Sequence, residues 1–201
     1  MKKKKKSGTL GTIIFMVILV VLIFGCFFLA QKKSKERAEE QVQIEAQQTE
    51  AEKLIMMDIE KKYPVTVREV IKLYNRILQC VHNEDVSDAE VQALAGQLRI
   101  LFDDEFLLNN PYQQHVDALI LEVAEYDMLD RTIDRCEIES ATSISEWQND
   151  KGSFASLGVT YILKEAKQYG QISEKFLLRK QENGQWKIVG WEKIDNNEVE
   201  K

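Results

Sequence analysis

The chain has 201 residues, enough for one domain of ordinary size beside a membrane segment. With 44% hydrophobic and 30% charged residues, 2 Pro, 9 Gly and 3 Cys, it is not collagenous, Pro-rich, wholly disordered or a disulfide-dense scaffold. The formal net charge of −6 hides an asymmetry, because lysines fill positions 2–6 and no acid precedes Glu36; the acidic body argues against nucleic acid as partner, since phosphate binding needs clustered Lys and Arg.

No charged side chain occurs from residue 7 to residue 31, and the stretch 10–29 reads LGTIIFMVILVVLIFGCFFL. About 20 apolar residues at a 1.5 Å rise cross a hydrocarbon core of roughly 30 Å, and backbone groups in lipid must bond internally. The expectation is a basic tail over residues 1–7 and a single transmembrane helix over 8–30. Two processing alternatives stay open: a leader cleaved after Ala30, and a lipoprotein in which Ile23-Phe24-Gly25-Cys26 serves as a loose lipobox. The unbroken N-terminal lysines face the mixed cluster Lys32, Lys33, Glu36, Arg37 on the other side. They place the N-terminus in the cytoplasm and residues 31–201 outside a cell membrane.

Residues 31–62 are rich in Glu, Gln, Lys and Ala, with no Gly and no Pro, and predict a helical stalk or a solvated linker. Residues 63–195 form the outer domain, and 196–201 an acidic tail. Thr66-Val67-Arg68-Glu69 has the form of a capping box. It opens an amphipathic helix with Val67, Val70, Ile71, Tyr74, Ile77, Leu78 and Val81 at spacings of three and four. Ser87 and Glu90 open a second helix, with Val91, Leu94, Leu98, Leu101 and Phe102 as its stripe. Asn109-Asn110-Pro111 breaks the chain, and Val116, Leu119, Ile120 and Val123 mark a third helix.

The period then changes to alternation. A first strand lies around Cys136 and Ile138, and Asn149-Asp150-Lys151-Gly152 is a turn. The second strand carries Ala155, Leu157, Val159, Tyr161 and Leu163 on one face. Tyr169-Gly170 marks a turn before a strand with Ile172, Phe176 and Leu178. Asn183-Gly184 is a hairpin signal before the last strand, 186–191. The expected class is α+β: a transmembrane helix and stalk, then three helices packed on a four-stranded antiparallel curved sheet.

This order, with Tyr74 on the first helix and the closing hairpin Asn183-Gly184-Gln185-Trp186-Lys187-Ile188, resembles the cone-shaped superfamily of nuclear transport factor 2, ketosteroid isomerase and SnoaL-like proteins. The resemblance covers about residues 63–194. It implies a pocket between sheet and helices, with Tyr74, Tyr126 and Tyr161 as candidate lining, and a possible homodimer through the open sheet face. The whole chain also resembles an uncharacterised family of membrane-anchored Firmicutes proteins, which implies a bacterial surface location.

Catalytic signatures are absent from the sequence. There is no phosphate loop, no His-Glu-x-x-His and no Gly-x-Ser-x-Gly, so no cofactor or metal is expected. His82 and His115 lie near predicted helix ends, where surface or capping roles are expected. Asp103, Asp104 and Glu105 read as a solvated stretch. Cys80 and Cys136 read as buried free thiols, with a helix-to-sheet disulfide as the alternative. No acid can be assigned to the inner sheet face. The functional expectation is therefore an anchored module outside the cell that binds a protein, peptide or envelope component. The alternative is a small-molecule binder or isomerase-like enzyme using the pocket.

Overall fold

In the computed structural model, the described residues are 48–194. They form a packed unit that begins at Thr49. The expected basic tail, transmembrane segment and acidic tail, and the stalk up to residue 47, lie outside the described residues. Among the described residues, no helix is long and apolar enough to cross a membrane.

Among the described residues, five α-helices precede the sheet: α1 (Glu50–Ile55), α2 (Val67–Asn83), α3 (Asp88–Ile100), α4 (Asp104–Asn109) and α5 (Tyr112–Met128). The α+β class stands, but the expected count of three helices on four strands is corrected to five on five. The helix starts follow from local chemistry. Thr66 and Ser87 each accept from the backbone N–H three residues on, and Glu69 and Glu90 reach back to the cap. Thr49 and Glu52 make a third such box, which starts α1 inside the segment expected to be stalk. That helix packs inward. Ala51, Leu54 and Ile59 are buried in the main core, and the Gln97 side chain of α3 donates to the carbonyls of Ile55 and Met57 at 2.7 and 3.1 Å. A six-residue helix is marginal alone, so tertiary packing is what holds α1.

The strands are β1 (Arg131–Ile138), β2 (Ser145–Asn149), β3 (Gly152–Glu165), β4 (Gln168–Lys180) and β5 (Trp186–Ile194), all paired antiparallel. β3 is long enough to take two partners on one edge. β1 pairs with its second half and β2 with its first, while β4 and then β5 extend the other edge. The strand missing from the expectation is β2. Its sequence, SEWQN, has one large apolar residue, and all five positions are exposed, so no buried face writes an alternation.

The turn expected at Tyr169-Gly170 falls instead before Gln168, with Ala166 at φ 51°; Tyr169 and Gly170 pair with Lys164 and Leu163 inside the ladder. The closing hairpin turns at Gly184 with φ 84°, and the Gly184 N–H donates to the Gln181 carbonyl at 2.9 Å. At the outer edge of β5, the chain segment before α4 adds a short parallel bridge. Ile188 donates to the Leu101 carbonyl and Asp103 donates to the Ile188 carbonyl, each at 2.8 Å.

The inner sheet face presents Ile133, Ala155, Leu157, Val159, Tyr161, Leu163, Phe176, Leu178 and Ile188 to the helices. The outer face carries the alternate residues.

Candidate functional site

Two places in the fold bring chemistry together: an aromatic and polar cluster on the inner side of the sheet, and a recess on its outer face.

The inner cluster begins with Tyr74 of α2, which is 5% exposed. Its ring meets Phe176 edge-on at 5.3 Å, Trp191 at 5.8 Å and Phe102 at 6.2 Å. Aromatic carbon therefore fills the space in front of it. Tyr161 of β3 is also buried and donates its hydroxyl to Asn75 Oδ1 at 2.9 Å. Asn75 Nδ2 has no hydrogen-bond partner. Tyr126 of α5 is half-buried, stacks on the His82 ring at 4.2 Å and carries the Arg131 guanidinium over its face at 5.3 Å. The three candidate tyrosines thus belong to one neighbourhood in two environments. Tyr74 and Tyr161 are core residues, and Tyr126 lies at the rim.

Two acids share this neighbourhood. Glu174 has the same strand parity as Phe176 and Leu178, which puts it on the inner face of β4 opposite Val159. Glu122 of α5 lies 3.7 Å from His82 Nε2 and is 50% exposed. Burial raises both carboxyls above their ordinary range. Glu125 adds to the rise at Glu122; at Glu174, Lys193 opposes it and Glu122 adds to it. Burial also pushes the Tyr74 phenol up, helped by the charges of Glu174, Glu122 and Cys136; Tyr161 and Tyr126 rise as well, chiefly through burial. These phenols are protonated at physiological pH and can act only as hydrogen-bonding groups. Among the described residues, no carboxylate hydrogen-bonds to Tyr74, Tyr126 or Tyr161. Burial lowers His82 to about 4, so it is neutral at pH 7.

Sequence reasoning missed Glu174, although the signal was present: a strand defined by Ile172, Phe176 and Leu178 puts residue 174 on the same face. His82 is corrected from a surface or capping role to a side chain with no exposure. Asn75 precedes it by seven residues on the same face of α2, a spacing visible in the sequence. Cys80 and Cys136 are free thiols, pushed up by burial to about 11 and about 12. Among the described residues, no group of three His, Cys, Asp or Glu converges as a metal site.

Asp103 is also corrected. It is 1% exposed, caps α4 through the Glu105 N–H, and is held by the Arg179 guanidinium and the Gln181 side chain. Burial opposes its ionisation, but these partners hold its carboxyl below the usual range. The sequence shows three acids in a row. Only the fold shows that the first meets an arginine 76 positions away.

The outer recess has a volume of about 590 Å³. One cross-strand row forms its floor: Ser145, Ser156, Leu177 and Gly190, directly paired across four strands. Three of the four are small. The next row on one side holds Trp147, Phe154 and Arg179, and the next on the other holds Gly158, Lys175 and Glu192. Larger side chains on both sides of a small-residue row make a trough across the strands. Trp147 is 42% exposed and stacks on Phe154 at 5.9 Å with 17° between the rings.

A family model matches residues 1–191, and the chain belongs to that family, described as a domain of unknown function, DUF6715. No curated protein matches the sequence.

Proposed function

For this member of the DUF6715 family, we propose a single-pass, membrane-anchored module whose outer domain binds a protein, peptide or envelope component outside the cell, without catalysis. The observation that carries this reading is the outer-face trough, a concave surface with an exposed tryptophan at its wall. The inner side supports it by contrast. Aromatic rings pack in front of Tyr74, and the Tyr161 hydroxyl is already used by Asn75. The uncharged run 7–31 and the lysines at 2–6 support the anchor and its orientation.

The test uses the full-length protein in intact cells. A photo-crosslinking residue at position 177 should trap a partner, and one at position 121, on the exposed face of α5, should not. Protease added outside should remove the outer domain. A C-terminal tag that stays protected until lysis would reverse the orientation, and equal crosslinking at both positions would remove the trough from the account.

A second reading, a small-molecule binder or isomerase-like enzyme, is favoured by one observation. Glu122 and Glu174, both raised by burial, stand near three tyrosines and the unpartnered Asn75 amide. Catalysis there would be lost in Glu174→Gln while outer-face crosslinking persists.

A further inference from the structure

We propose that the recess between the loop after α1, the C-terminal half of α3, α4 and the closing hairpin binds a small zwitterion: an amino acid or short peptide with a free ammonium group, a free carboxylate and an apolar side chain. The recess has a volume of about 490 Å³ and shares no lining residue with the outer trough, so the proposal does not rest on the outer-face reading.

Four charged side chains from four segments converge on it: Glu60 from the loop after α1, Arg99 from α3, Asp104 from α4 and Lys187 from β5. Among the described residues, none of the four forms an ion pair with another. Backbone carbonyls hold the two cations instead. Arg99 Nη1 donates to the Asn110 carbonyl at 2.8 Å, with the guanidinium over the Tyr112 ring. Lys187 Nζ donates to the Ile100 carbonyl at 2.5 Å and sits 4.3 Å from the centre of the Tyr63 ring. Each contact fixes a cation in place and leaves further N–H donors for a ligand. Burial pulls the Lys187 ammonium below its ordinary range, and the charges of Asp104 and Glu60 oppose that pull, so acids and amine act on one space.

This set of charges narrows the ligand. A phosphate or dicarboxylate would meet Glu60 and Asp104, and a simple cation would meet Arg99 and Lys187. An uncharged molecule would take water from all four charges and return no ionic partner. A zwitterion answers both signs, its carboxylate at Arg99 and Lys187 and its ammonium at Glu60 and Asp104. Ile100, Phe102 and Leu107 supply an apolar wall for its side chain. Gly96 is an independent observation that points the same way. It stands inside α3, where glycine weakens a helix, yet crowding does not require it: a Cβ there would meet no atom within 4 Å outside its own stretch of helix. Gly96 shares a helix face with Arg99 and Ile100, at spacings of three and four, so its missing side chain leaves the recess open beside them.

The experiment titrates the full chain, held in an uncharged detergent, with leucine, dileucine and trileucine, and with N-acetyl-leucine, leucinamide and N-acetyl-leucinamide. Calorimetry reads the binding. The expected result is saturable binding of a free ligand at a Kd of about 1 mM or tighter, weakened about tenfold or more by capping either end. Tighter binding of the peptides assigns the site to peptides, and tighter binding of leucine assigns it to free amino acids. Gly96→Leu fills the recess and should abolish binding while the melting temperature holds or rises. In Glu60→Gln with Asp104→Asn, affinity for the free ligand should fall about tenfold, while affinity for its N-acetyl form should not fall. If Gly96→Leu melts early, that double variant gives the readout. The proposal is overturned if no free ligand binds at about 10 mM, if a capped ligand binds as tightly as the free one, or if Gly96→Leu folds and binds unchanged. Crosslinking at position 177 reads the trough alone, so the outer-face reading and this one fail separately.

Discussion

Along β3, the inner face carries Ala155, Leu157, Val159, Tyr161 and Leu163, while the outer face carries Phe154, Ser156, Gly158 and Thr160. The backbone is shared, and each pair of neighbours differs only in which way the pleat points it. The inner residues are packed under helices and contribute to stability. The outer ones are covered by their neighbours on that face, Phe154 by the Trp147 ring and the Arg179 guanidinium and Gly158 by the Glu139 side chain, while Ser156 is small and floors the trough. Gly158 is the extreme case: a Cβ there would meet the Glu139 side chain at 2.7 Å, and its N–H already donates to that carboxylate at 2.9 Å. The comparison teaches that burial on the two faces means different things. On the inner face it marks the core. On the outer face it marks the floor of a trough at Ser156 and cover by a neighbouring side chain at Phe154 and Gly158.

The sharpest way to break this comparison is to truncate two neighbours in β4. Phe176 is fully buried on the inner face, and Leu177 is half-buried on the outer. Phe176→Ala should cost about 3–5 kcal/mol in urea unfolding, through lost transfer energy and a cavity. Leu177→Ala should cost less than about 1 kcal/mol and should instead weaken partner crosslinking. Equal costs would mean that both faces are core.

A smaller effect concerns the inner polar cluster. His82 has a folded pKa of about 4 against an ordinary 6.5, so the native state holds it neutral. Stability should be fully present above pH 6.5 and decline as pH falls toward 4, by up to about 3 kcal/mol, because the unfolded chain takes up the proton first. The raised carboxyls of Glu122 and Glu174 act in the opposite sense and soften the decline. In His82→Leu, urea midpoints at pH 7 and pH 4.5 should lie closer together than in the parent. An unchanged difference would show that His82 is not the titrating group.

The turn that sets the register of both faces comes next. Gly184→Val places a β-branched side chain at φ 84° and should cost about 1–3 kcal/mol. A one-residue slip in this hairpin would exchange inner and outer residues on β5, so strand pairing should resist it. An unaltered melting temperature would show that the turn tolerates another conformation.

The smallest expected effect on stability is at the trough wall. Trp147 is exposed on an edge strand, and Trp147→Ala should shift stability by no more than about 0.5 kcal/mol. A large loss of stability would instead make the Trp147–Phe154 stack a structural support, and the contrast between the two faces would lose its meaning at this point.

Local signals were legible in the sequence wherever chemistry is settled within a few residues. The capping boxes at Thr66 and Ser87, the stripe of α2, the alternation of β3 and the positive φ at Gly184 all depend on neighbours close in the chain. The inner placement of Tyr74 and Tyr161 follows from those periods. β2 was not legible, because an exposed strand leaves no apolar pattern and is held only by its pairing with β3. Nor was α1, whose six residues read as the end of a stalk until Leu54 finds the core.

By itself, then, the sequence determined where α2 and α3 begin, which strand is central, which residues face inward along it, and that the class is α+β. Those features rest on hydrogen bonds and periodicities spanning four residues or fewer. Tertiary structure alone decided that Asp103 is buried against Arg179, that His82 lies beneath Tyr126, and that Ser145, Ser156, Leu177 and Gly190 line up into one floor. Each of those depends on strand register or on side chains meeting across the fold. Register is set by the sum of many pairings, and no short stretch of the chain records it.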